Sequence, residues 1–344
     1  MTKRLVAQAL DRVGVWAAIL RARRVGFWPW SGLTVVLYHR VVGTPGLGEL
    51  DPELVDATPE EFERQMKFLR RHFEPVTMEE VSAAANGEAQ LPPNAVLVSF
   101  DDGYRDNFEH ALPILQRQGL KAVFFVSTSY ITERRLFWWE QVSLFIRTAR
   151  VERAMLTYPV TTELDLRDDV GKAAAMKQMN RLIKDQFALD IDRLLRDLAS
   201  ACGIDWSPER ERALGDAALM TWEQVRGLVD AGMAVGSHTC NHRVLQTLPP
   251  DSLDRELSAS KEVLETRLGI PIDSIAYPVG RSIASRPAIV QALARAGYRV
   301  GFTAVPGTNR FPGSSLFDLR RIPIDRGVSL GATRANLAVP WLAR

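Results

Sequence analysis

The hydrophobic positions of this chain fall into short apolar runs, separated by longer stretches with helical spacing. Residues 33–38, 95–98, 122–127, 233–236, 274–277, 298–303 and 320–324 read as strands. Between them, residues 58–72, 107–118, 221–231, 251–268 and 287–295 carry helical periodicity, and a shorter helix opens at Thr77. Thr58-Pro59-Glu60-Glu61 spells a helix start, with Thr58 as N-cap, Pro59 in the first turn and Glu61 completing a capping box. Thr221 and Gln224 repeat the device, and Gly269 closes the long helix before it. Repeated strand-then-helix units predict a parallel α/β barrel.

Two stretches break this rhythm. Residues 133–219 are mostly helical in period, over 137–149, 168–187 and 191–201, and read as a helical insertion over the barrel mouth. Phe137-Trp138-Trp139 at its start is either the insertion's own core or a sugar-stacking platform, and the core reading is preferred because aromatic payload is mainly hydrophobic. At the N-terminus, Leu5, Ala9, Val13, Trp16 and Leu20 form one helical stripe, followed by Arg21, Arg23, Arg24 and Phe27-Trp28-Pro29-Trp30. Such a basic amphipathic helix packs on the barrel's outer wall or lies on a membrane surface. The chain thus divides into 1–30, the helix and its aromatic linker, and 31–344, the barrel with its insertion. No apolar stretch is long enough to span a bilayer, and no uninterrupted signal-peptide core stands near Met1. The expected location is the cytoplasm, with peripheral contact at the inner membrane face through residues 1–30.

Composition narrows the function. A net charge of +2 over 344 residues, with no recognised motif, gives no case for nucleic acid. Two cysteines, Cys202 and Cys240, make no disulfide framework. The chemistry instead gathers where strands end. The run 95–98 leads into Ser99-Phe100-Asp101-Asp102-Gly103-Tyr104, placing two adjacent carboxylates at the carboxyl end of a strand, where α/β folds put their sites. A turn at Gly103 would bring both into one site; alone, the motif is equally a solvated turn. The run 233–236 leads into Ser237-His238-Thr239-Cys240-Asn241-His242, where one helical turn would set both imidazoles on one face. Two imidazoles and a carboxylate make a three-ligand metal site with a position left for water. Cys240, two residues past His238, should face away and act as a spacer.

These two segments resemble the first two motifs of the polysaccharide deacetylases (carbohydrate esterase family 4, the NodB-homology domain), and Tyr277-Pro278-Val279-Gly280 resembles a variant of the third. The resemblance covers roughly residues 33–330. It implies a distorted TIM-like (β/α) barrel and metal-dependent removal of N-acetyl groups from amino sugars. Asp102, His238 and His242 would hold a divalent metal, with zinc the best match to the ligand set. Asp101 would be the general base, and the backbone N–H of Val279 would face the oxyanion.

The chain departs from the family pattern twice. The third motif usually begins with an arginine that orients the base; Ala276 stands there, with Arg281 as a candidate substitute. The late Leu-x-His motif that supplies the general acid is missing, since His242 is the last histidine. A subset that includes the poly-N-acetylglucosamine deacetylases carries an early Tyr-His motif in that role, and Tyr38-His39 matches it. His72 and His110 are placed on helices by their periodicity. Two further functions stay open: a deformylase or deacetylase of a lipid-linked sugar at the cytoplasmic membrane face, and a non-catalytic glycan-binding relic. The intact Asp101, Asp102, His238 and His242 speak against the relic.

Overall fold

The computed structural model describes residues 10, 13–24, 32–43, 48–324, 326 and 330–338. Its strands are β1 (Gly32–Tyr38), β2 (Arg40–Val41), β3 (Val55–Ala57), β4 (Glu74–Pro75), β5 (Ala95–Phe100), β6 (Ala122–Val126), β7 (Arg153–Leu156), β8 (Thr162–Asp165), β9 (Ala234–Ser237), β10 (Ser274–Ala276), β11 (Val300–Phe302), β12 (Asn309–Arg310) and β13 (Ile322–Pro323). Strands β11, β10, β9, β6, β5 and β1 lie side by side in that order, all parallel. The two ends of this sheet meet across residues 319–323. Leu319 donates to the carbonyl of Gly301 at 2.9 Å and accepts from Thr303 at 2.8 Å, while β13 pairs with Val36 and Leu37 of β1. The sheet therefore curls into the distorted barrel that the sequence predicts.

Strand alternation explains the two layers of core. Val36, Tyr38, Val98, Phe100 and Phe124 face outward, under the helices. Val35, Leu97, Val123, Phe125 and Phe302 fill the barrel interior. Fully burying such a side chain contributes about 1.5–3 kcal/mol. The interior is tight at Gly236, where a Cβ would lie 2.5 Å from the Phe125 ring. Reciprocal capping boxes start the helices at Pro59–His72, Met78–Ala85 and Trp222–Asp230.

The helix after the Asp-Asp motif is less regular than its periodicity suggests. Pro113 has no N–H to give, and the N–H of Leu112 bonds five residues back to Asn107, so residues Asn107–Ala111 form a π-type turn before the α-helix Leu112–Gln118.

The described part of the N-terminal helix, Val15–Arg24, packs on the barrel wall. Trp16 and Leu20 are buried in the main core with Met66 and Leu337, while Val13 is exposed. Leu5, Ala9 and the Phe27–Trp30 cluster lie outside the described residues. Among the described residues no helix is long and apolar enough to cross a membrane.

The insertion has its own core of Trp138, Val142, Phe145, Met179, Leu194, Leu198 and Cys202. It is not wholly helical, as its periodicity suggests. An antiparallel hairpin, β7 with β8, packs Ala154, Leu156 and Leu164 against the helices Trp138–Arg147 and Ile191–Ala201. Each strand is four residues long, too short for a period-two pattern to stand out from helical neighbours.

Candidate active site

The first carboxylates stand where β5 ends. Asp101 donates its N–H to the carbonyl of Tyr38 at 2.9 Å, continuing the ladder one step. Asp102 and Gly103 then adopt φ values of +79° and +97°. On a continuing strand the two side chains would point to opposite faces; this left-handed turn sends both into the barrel mouth. A left-handed aspartate is a strained conformation, and such strain clusters at functional sites.

Asp101 is held by an arginine that sequence reasoning missed. Arg321, fully buried, grips both carboxylate oxygens at 2.7 Å and donates its Nε–H to the carbonyl of Thr303 at 2.7 Å. Burial alone would raise the Asp101 carboxyl, but the guanidinium outweighs it and holds the group below its usual range. Arg281, the candidate substitute, is not near Asp101; it pairs with Asp185 on the insertion. The available signal was an Arg-Arg pair opening an apolar final strand, where one arginine must face inward and therefore needs a carboxylate.

The imidazoles follow β9. His238 donates its N–H to Val126 at 2.9 Å, extending the strand, but no helical turn follows. Thr239 and His242 instead take φ values of +64° and +49°, and this tight loop folds His242 back beside His238. Glu256, buried on the helix Pro250–Leu268, fixes the loop. Its Oε2 accepts from the N–H groups of Cys240 at 2.9 Å and Asn241 at 2.8 Å, and its Oε1 from the Asn241 amide at 2.8 Å. Cys240 turns away from the imidazoles, its Sγ 3.0 Å from Ser129 Oγ.

Asp102, His238 and His242 converge, with one ligand atom from each within 4.8 Å of the others. Both Nε2 atoms lie 3.4 Å from Asp102 Oδ1. That separation is long for a good hydrogen bond, and Asp102 Oδ1 is buried without a partner. His238 Nδ1 lies 2.9 Å from the Ala276 carbonyl, to which it donates, and this bond turns Nε2 toward the carboxylate. Burial keeps His242 below its usual pKa, so its ring is neutral near pH 7. Two imidazoles and a carboxylate oxygen with an unsatisfied lone pair fit a divalent cation.

His39 borders the same cavity. The cleft, about 450 Å³, is lined by His39, Asp101, Asp102, His238, His242 and Val279 among others. His39 Nδ1 lies 3.3 Å from Asp56 Oδ2 on β3, and the same oxygen accepts the backbone N–H groups of His39 and Arg40. Burial would lower the ring's pKa, but Asp56 foremost, then Asp102 and Asp101, raise it to about 9. Val279, with φ of +64°, sits in the turn after β10, backed by Gly280, where a Cβ would lie 2.1 Å from that of Ala304.

The three aromatic residues opening the insertion divide their work. Phe137 packs with Tyr104 and Tyr130 between insertion and barrel, while Trp138 joins the insertion core. Trp139 lies with its ring 4.4 Å from that of His242 and donates to Tyr104 Oη at 2.8 Å. Tyr104 donates in turn to Glu140 at 3.0 Å, and Glu140 lies 3.6 Å from the Arg40 guanidinium beside His39. This buried chain fastens the insertion to both halves of the site.

A parallel barrel with paired carboxylates and imidazoles at its carboxyl-end mouth places these groups where barrel enzymes carry their chemistry. The family model for polysaccharide deacetylase matches residues 88–301, and the chain belongs to that family, acting as a hydrolase on carbon–nitrogen bonds. It is 22% identical over 307 residues to a Bacillus subtilis (strain 168) protein named as a polysaccharide deacetylase, YxkH, covering 89% of this chain and 76% of that one. A poly-beta-1,6-N-acetyl-D-glucosamine N-deacetylase of Escherichia coli (strain K12) is 26% identical over 147 residues, which is 38% of this chain but 21% of that protein. Among solved structures, the fold resembles the Streptococcus pyogenes deacetylase PplD in complex with acetate, with a TM-score of 0.57, 21% identity and coverage of 91% of this chain and 98% of that one. It also resembles IcaB from Ammonifex degensii, with a TM-score of 0.56, 20% identity and coverage of 90% and 98%.

Proposed function

We propose that this protein removes N-acetyl groups from an amino sugar of a polysaccharide or glycan precursor, using a divalent cation, zinc, held by Asp102, His238 and His242. The observation that carries the reading is the convergence of this triad next to Asp101, in the cleft that His39 also borders. A cation bound there supplies Lewis-acid polarisation of the acyl carbonyl and acidifies water.

The chain's own groups do the rest. Asp101, anionic at neutral pH and fixed by the Arg321 fork, accepts a proton from the attacking water. The N–H of Val279 donates to the oxygen that becomes negative as the carbonyl carbon turns tetrahedral. An amine leaves poorly as an anion, so its nitrogen must gain a proton. His39, kept protonated by Asp56, supplies it. Asp56 contacts Nδ1, so Nε2 is the atom that donates.

Acetate release tests the reading directly. Purified protein is incubated with poly-N-acetylglucosamine oligomers, chitin oligomers and N-acetylated monosaccharides, and acetate is assayed enzymatically. We expect release from at least one oligomer, and a loss of turnover in Asp101→Asn with the metal content retained. A wild-type protein that binds these glycans and releases no acetate would leave the relic reading in its place.

A further inference from the structure

The cleft continues beyond the candidate reaction centre. A second cavity, also about 450 Å³, shares Asp51, Glu53, Met176, Asn180 and Lys184 with it. One wall is the insertion helix Asp169–Asp185, and Arg281 completes the lining, two residues after Val279. Arg281 pairs with Asp185 across this wall, fastening the turn that carries Val279 to the insertion.

The chemistry of this wall is lopsided. Lys177, Arg181 and Lys184 line it at i, i+4 and i+7, so they share one helical stripe. With Asp185 matched to Arg281, three cations remain against two carboxylates, Asp51 and Glu53. Asp51 is further occupied in capping, its Oδ1 accepting the N–H of Glu53 at 2.9 Å. No ion pair joins Lys177, Arg181 or Lys184 to any described residue. A solvated basic face would look similar on the outside of a helix. Two observations argue against that here. Asn180 Oδ1 is buried and has no hydrogen-bond partner. Lys184 is partly buried, and its ammonium is pushed below the usual lysine pKa by that burial and by the neighbouring Arg281 charge, with Asp185 offsetting part of the effect. The C-terminal helix dipole accounts for a cation in the last turn but not for one drawn into a cleft beside another cation.

We propose that this second cavity is a subsite for an anionic group, a phosphate or carboxylate, on the glycan next to the sugar being deacetylated. Lys184 and Arg181 meet the anion, and Asn180 Oδ1 accepts a hydroxyl of the sugar that bears it. The insertion thereby sets substrate choice, while the barrel carries the chemistry. The inference rests on the deacetylase reading for the identity of the neighbouring sugar.

The test is calorimetric titration of the full-length, metal-loaded protein with three disaccharides containing N-acetylglucosamine. In one the second sugar is neutral, in one it bears a phosphate, and in one it is a uronic acid. We expect at least one anionic disaccharide to bind tenfold or more tightly than the neutral one, and the ratio to fall below threefold in the double variant Arg181→Gln, Lys184→Gln. Preference for the phosphate points to a glycosyl phosphate carrier, and preference for the uronate to an acidic polysaccharide. Equal affinity for all three in the wild type overturns the proposal. So does a preference that survives the double variant, since the anion then binds at the metal triad. If the double variant does not fold, Arg181→Gln alone, at an exposed position, should lower the ratio at least threefold. Acetate release from the neutral disaccharide is read in parallel, so a failure of the deacetylase reading shows separately.

Discussion

Replacing Arg321 with methionine would probe a grip on Asp101 that the family motifs do not announce. Arg321 and Asp101 are both buried, at 0% and 3% exposure, and are joined by two hydrogen bonds of 2.7 Å. Methionine fills most of the volume but leaves Asp101 an unpaired buried charge. Removing one partner of such a pair costs about 3–5 kcal/mol. The lost bond to the Thr303 carbonyl adds about 1 kcal/mol. Against a total stability of roughly 5–15 kcal/mol, this is a large fraction. Asp101→Asn in the same background removes the stranded charge, so the double variant should regain part of the loss. Arg321→Lys is the milder probe: it keeps the charge but not the planar two-pronged grip. A base swung out of register by this change should cost about a hundredfold in turnover. The pH dependence gives a sharper signature. The folded-state pKa of Asp101 lies below the usual value, so the wild type keeps this carboxylate ionised down to acid pH. Without Arg321, burial dominates and the acid limb of the activity profile moves to higher pH. Urea unfolding, turnover and its pH profile read all three effects. Arg321→Met with stability within 1 kcal/mol of wild type, unchanged turnover and an unmoved acid limb would refute the reasoning.

Other expectations follow from neighbouring contacts. His39→Ala should lower turnover by about a hundredfold to ten-thousandfold with the metal content unchanged, as read by steady-state kinetics and elemental analysis. Asp56→Asn removes the main group holding the His39 pKa near 9; the protonated ring is then lost at lower pH, and the alkaline limb of turnover should shift downward. Glu256→Ala frees a loop with two left-handed residues between the candidate ligands and should weaken metal affinity about 10–100-fold in competition titrations. Glu256→Gln, which keeps one acceptor oxygen, should fall between that variant and wild type.

Much of this arrangement was legible from the chain. Apolar runs followed by turn residues marked the central barrel strands, and the Asp-Asp-Gly and His-x-x-x-His clusters marked their ends. The capping boxes at Thr58 and Thr221 set helix starts to the residue. What escaped depended on contacts far apart in the sequence. The fork from Arg321 to Asp101 spans 220 positions, and Arg321 lies outside the segment matched by the family model. Glu256 looked like any helix glutamate, because only the folded loop shows that its oxygens are needed there. The loop from His238 to His242 was expected to use helical spacing, but two left-handed residues reach the same convergence by a tighter path. The hairpin inside the insertion was hidden by brevity, each strand being four residues long.

The account's central claim is that Asp102, His238 and His242 hold a divalent cation on which turnover depends. Acetate release from an N-acetylglucosamine oligomer, measured before and after exhaustive chelation and again after zinc is restored, tests it most directly. The account predicts loss of activity on chelation, recovery on addition of about one equivalent of zinc per chain, and no recovery in His238→Ala. Full activity in the thoroughly chelated wild type would contradict it.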